Sequence, residues 1–160
     1  MATRNALDNC DTLSKVIRLG IGDGRLMNED PEFGPEASVW CAMGYTLTNK
    51  RACLACFAGA VMRGTLGVTS AKIRTGRLRL PGDFDEESRR KLIALEYARA
   101  GRYSVAIATI TQIAIPHGEK RRLERLVPKS KYREFNDRKS FAKFLDSMEN
   151  IASILEELGY

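Results

Sequence analysis

Cys53-Leu54-Ala55-Cys56 is a CxxC pair, the spacing at which two thiols can share a metal ion or form a redox couple. Cys41 lies upstream and His117, the one histidine, lies downstream. Together Cys41, Cys53, Cys56 and His117 compose a Cys3His donor set of the kind that holds zinc. The segment around the three thiols, residues 38–66, is dense in Ala and Gly and carries the one Trp. Reduced cysteine is often buried as a small apolar side chain in such surroundings. The expectation is therefore a pair of core thiols, with no metal and no cofactor; the zinc set is the alternative.

Cys41, His117 and Asn136 also follow one another in the order nucleophile, base, orienting amide. Papain-like hydrolases use that order, with the cysteine at a helix start where the dipole lowers its pKa. Cys41 follows Trp40 near a predicted helix start, but no local catalytic signature surrounds it. A cysteine-dependent hydrolase or transferase is thus an alternative, and the expectation leans away from an enzyme. Gly20, Gly22 and Gly24 follow a helical pattern rather than a strand, and no Lys-Ser/Thr comes after them, which rules out a P-loop. The acidic run Glu29, Asp30, Glu32 and Glu36 lacks the spacing of a calcium loop.

Charge is the other chemical signal. The net charge of +6 is confined to the second part of the chain. Residues 1–70 hold seven bases and seven acids, whereas residues 71–160 hold 19 bases and 13 acids. Two clusters concentrate the excess: Lys72, Arg74, Arg77 and Arg79, then Lys120, Arg121, Arg122, Arg125, Lys129, Lys131 and Arg133. Such clusters attract an acidic protein or nucleic acid.

The elements that must position these residues read mainly as helices. Leu7, Cys10, Leu13, Ile17 and Ile21 recur at helical spacing, and the three glycines are expected to end that helix. Ser38 is expected to cap a helix through Trp40, Met43 and Leu47, and a further helix is expected from about Lys50 through Cys53 and Cys56 to Met62. Asp83 and Glu86 suggest a cap for a helix bearing Leu92, Leu95 and Ala98, closed by Gly101. Residues 103–115 fit both strand and helix, with a lean towards helix. A last helix, capped by Asn136 or Asp137, carries one apolar stripe from Phe141 to Leu158. The predicted fold is mainly α: a compact single domain over 1–160, a bundle of five to seven helices with room for a small β element at 70–80 or 103–115.

At 160 residues the chain can bury its own core. No apolar run reaches the ~20 residues of a membrane span. The opening run lacks the basic-then-apolar order of a signal peptide. A cytoplasmic protein with reduced thiols and no membrane partner is expected, with a homo-oligomer through the C-terminal helix left open.

Three short segments share a pattern: Ile17-Arg18-Leu19-Gly20, Trp40-Cys41-Ala42-Met43-Gly44, and Phe135-Asn136-Asp137 followed by Ser140-Phe141-Ala142. In this the chain resembles small uncharacterised proteins of bacteriophages and mobile elements. The resemblance covers under a quarter of the chain. A second Cys/Gly segment at 53–59 and a long basic insertion depart from the pattern. The resemblance implies a phage context and no particular activity. The functional expectation is a small accessory protein that binds and modulates a host or defence macromolecule, most simply an acidic protein, through a basic surface.

Overall fold

The computed structural model describes residues 5–37, 45–47, 53–69 and 84–160. Asn5 caps a 3-10 turn, Ala6–Asn9, which holds Leu7 and Cys10 apart from the first long helix. That helix, α1 (Leu13–Glu29), begins where Thr12 accepts the Lys15 N–H. It does not stop at the glycines. Gly20 and Gly24 lie one turn apart on its buried face, where Phe57 and Leu95 press on the first and Leu145 and Phe141 on the second. Close packing there offsets the entropy that glycine loses in a helix. The end of α1 is set instead by Arg138, whose guanidinium donates to the carbonyls of Asn28, Asp30 and Phe33.

Asp137 caps α6 (Arg138–Glu157) in a capping box with Ser140. Phe141, Phe144, Leu145, Met148, Ile151 and Leu155 are buried as one stripe, and the helix lies along α1. Arg25 bridges to Asp146 and Glu149, and Arg18 to Glu156, along the exposed seam. The apolar stripe is thus buried within the chain. Phe57 meets Phe144 edge-on at 5.0 Å, and Phe135 sits 4.6 Å from Phe141, so aromatic rings fill the centre of the core.

A small β element is present, as expected, and the described part of it lies nearer the N-terminus than the two places considered. Residues 70–80 are outside the described residues, and 103–115 contains a helix. Three short strands, β1 (Phe33–Pro35), β2 (Tyr45–Leu47) and β3 (Cys53–Ala55), form a sheet in the order β1-β3-β2. β3 pairs parallel with β1, Phe33 opposite Cys53, and antiparallel with β2, Tyr45 opposite Ala55. This corrects the helix expected at residues 45–47 and 53–55, while the rest of those two expected helices before Cys53, residues 38–44 and 48–52, lies outside the described residues. Pairing on both sides satisfies the β3 backbone, an option that local apolar spacing does not reveal.

A helix does follow, but only after the CxxC. α2 (Phe57–Gly64) starts at Cys56, which caps it by accepting the Gly59 N–H on its thiol at 3.4 Å. The next helix, α3 (Glu86–Arg99), is capped by Asp85, not Asp83, through the Ser88 N–H at 2.7 Å. Gly101, at φ +79°, turns the chain into α4 (Tyr103–Thr111). Gln112 ends α4 at φ 60°, and α5 (His117–Leu126) follows Pro116. Among the described residues there are thus six α-helices, and none is long and apolar enough to cross a membrane.

Candidate functional site

The second basic cluster falls on α5 and the segment after it. Leu123 is the buried residue of α5 and defines its inner face. With 3.6 residues per turn, Arg121 and Arg125 then project from the opposite side, with Lys120 and Arg122 on the flanks. Lys120, Arg121, Arg122, Arg125, Lys129 and Lys131 are all exposed. Arg122 pairs with Glu119 at 3.2 Å, and Glu119 also accepts the Tyr160 hydroxyl at 2.9 Å. Among the described residues, Lys120, Arg121, Arg125, Lys129 and Lys131 have no ion-pair partner. Arg133 departs from the group: it is half-buried and donates to the Ser130 carbonyl.

Lys129 is placed by a glycine. A Cβ on Gly101 would lie 2.7 Å from Lys129 Cγ, so the lysine stem crosses bare backbone there. Lys129 and Lys120 line a cavity of about 240 Å³ together with Glu124, Arg102, Tyr103, Ser104 and Leu123. The start of α4 opens onto this cavity, and Arg102 supplies no side-chain cap to its first amides. Those amides add to the positive potential of the lysines. Tyr103 anchors the floor: its hydroxyl donates to the Pro128 carbonyl at 2.7 Å, and burial pushes the phenol well above its ordinary pKa.

The other candidate residues do not gather into a site. Cys41, Lys72, Arg74, Arg77 and Arg79 lie outside the described residues. His117 is exposed at the first position of α5, and Asn136 is exposed just before the cap of α6. The Cys53 backbone belongs to β3, while Cys56 is fully buried at the head of α2. Cys56 also hydrogen-bonds Glu96, whose carboxylate accepts the Ala58 N–H at 3.2 Å and Arg99 Nε at 2.9 Å. Burial pushes the Glu96 carboxyl up, against the pull of Arg99. Cys10 is buried as well, its thiol within reach of the Ala6 and Lys15 carbonyls, and burial raises its pKa. Among the described residues no three His, Cys, Asp or Glu side chains are grouped to hold a metal ion.

The helical character of residues 117–126 is a signal that charge alone conceals. Leu123 and Val127 are spaced four apart after Pro116, and both are buried. The Gly101–Lys129 contact has no such signal, since it joins residues 28 positions apart. No protein family matches the chain, and comparison with curated proteins and with solved structures likewise finds no match.

Proposed function

We propose that this chain is a small accessory protein of a phage or mobile element that binds an acidic host or defence protein through the outer face of α5 and the segment behind it. One observation carries the reading: five exposed cations on this face have no ion-pair partner among the described residues. A solvated helix face ordinarily interleaves its charges, as α6 does with Arg25, Asp146 and Glu149 across its seam with α1. Unmatched positive charge raises the encounter rate with an acidic surface. Glu119, Glu124 and Glu134 stand among these cations, and they would repel a continuous phosphate backbone. That favours the discrete carboxylates of an acidic protein over the continuous charge of nucleic acid. Leu126, 40% exposed on the same helix, offers an apolar contact beside the charges.

The test is affinity capture from host lysate with the wild-type chain and with Arg121→Glu/Arg125→Glu. The reading expects a partner that the reversed variant loses, with slower association and a steep fall in on-rate with salt. It also expects Cys41→Ser and His117→Ala to keep that partner. Capture indifferent to charge reversal and to salt overturns it. A linear fall of log affinity with log salt on random duplex DNA would assign the face to nucleic acid instead.

A further inference from the structure

We propose that Arg99 is a positioning residue for the basic face: held by Glu96, it fixes the segment behind α5 so that Lys129 and Lys131 stand in one array with Arg121 and Arg125. This deepens, and rests on, the reading of that face as a binding surface. The segment between α5 and α6, residues 127–137, is neither helix nor strand. Such a stretch has no ladder of its own, so its backbone must find partners elsewhere. Tyr103 on α4 donates its hydroxyl to the Pro128 carbonyl at 2.7 Å. Ser147 on α6 meets the hydroxyl of buried Ser130 at 2.6 Å, and Ser130 accepts the Tyr132 N–H at 3.1 Å. Arg99 on α3 donates from Nη1 to the Arg133 carbonyl at 2.7 Å. Lys129 and Lys131 lie within the stretch that these contacts bracket.

Arg99 differs from the other two anchors in carrying a charge into the interior, opposite a carboxylate that is wholly buried. Desolvating two charges offsets much of what their pairing returns, so such a pair is a weak source of stability. What it supplies here is direction. Arg99 Nε donates to Glu96 Oε1 at 2.9 Å, which aims the other edge of the guanidinium at the Arg133 carbonyl. Glu96 is itself held by the Ala58 N–H at 3.2 Å and by Cys56. A line of hydrogen bonds thus runs from the head of α2 through α3 to the backbone two residues beyond Lys131. Only a planar guanidinium donates to two acceptors in fixed directions; an ammonium is a point charge. Fixing the segment bears on binding, because cations already in place lose less freedom when they meet a partner.

The experiment is a double-mutant cycle on the full chain, with poly-L-glutamate as the acidic probe at low and high salt. Lys129→Gln/Lys131→Gln should weaken binding about threefold to tenfold, as loss of two exposed charge pairs allows. Arg99→Lys keeps a cation opposite Glu96 but gives up the Arg133 carbonyl, and it should weaken binding by a similar factor. The combined variant should bind within about twofold of either one, because Arg99 acts through those two lysines. A role in stability alone would leave the losses to multiply, or leave the probe affinity of folded Arg99→Lys unchanged. Backbone 15N relaxation supplies a second measurement. The amides of residues 129–134 should be as ordered in the wild type as those of α5 and α6, and should loosen in Arg99→Lys while α3 stays rigid. The wild-type half of that measurement stands even where Arg99→Lys does not fold. Absence of salt-sensitive binding by the wild type overturns the reading of the face, and this proposal with it. Salt-sensitive binding with losses that multiply, or a segment mobile in the wild type, overturns this proposal alone.

Discussion

The ring of Phe57 rests on the bare backbone of Gly20: a Cβ there would come within 2.8 Å of both Cε2 and Cζ. Phe57 is itself held edge-on against Phe144, so its ring has no room to retreat. Two glycines of α1 only two residues apart should therefore respond oppositely to alanine. Gly20→Ala overpacks the core and should destabilise the chain by about 1–3 kcal/mol, less what helix propensity returns. Gly22 is exposed with open space around it, so Gly22→Ala should stabilise by roughly 0.8–1.0 kcal/mol. Urea denaturation of the two variants checks this. Equal effects of the same sign would mean that Phe57 does not sit where it is described.

Glu96 and Glu156 offer a matched comparison between buried and exposed ion pairs. The Glu96 side chain is 0% exposed and its partner Arg99 is 14% exposed, whereas Glu156 is 59% exposed opposite Arg18. Glu96→Ala strands Arg99 and the Ala58 N–H in the interior and should cost about 3–5 kcal/mol. Glu156→Ala should cost no more than about 1 kcal/mol. Thermal or urea melts at neutral pH separate the two. A mild effect at Glu96 would show that water reaches the pair.

The stripe of α6 predicts cavity costs in the monomer. Leu145 and Ile151 are each 1% exposed and face α1. Leu145→Ala or Ile151→Ala should each lower stability by about 2–5 kcal/mol at any protein concentration. A loss that shrinks as concentration rises would point to a second copy covering this face.

Asp23 predicts a pH dependence of stability. Burial raises its carboxyl above the ordinary value of 3.8, with Thr65 and Arg63 pulling the other way. The folded chain then holds the proton more tightly than the unfolded chain. Stability drawn from this group is present below the unfolded value and lost as pH rises through the folded one. Asp23→Asn removes the titration while keeping an acceptor for the Thr65 hydroxyl. The variant should therefore gain on the wild type as pH rises from acid towards neutral, and the gap should then level off. Urea midpoints at a series of pH values test it; a wild type that gains on the variant over that range would reverse the assigned direction.

Local chemistry by itself determined the helical class, a cap at Asn136 or Asp137, the stripe from Phe141 to Leu158 and the turn at Gly101; the fold selects Asp137 as the cap. Each depends on residues within a turn or two of one another, where apolar spacing and capping side chains act directly. It also marked the bases of α5, though not the helix that displays them. Tertiary structure alone decided the rest. Gly20, Gly22 and Gly24 look like a helix stop until Phe57 and Leu145 arrive to fill the space above two of them. Cys53–Ala55 is a strand because β1 and β2 flank it, and Cys56 is a helix cap because β3 ends one residue before it. Lys129 is held over Gly101, and Asp23 is buried beside Gly64, through contacts between residues distant in sequence. Such contacts leave no local period to read, because the interaction that pays the ordering entropy forms only when the chain has folded.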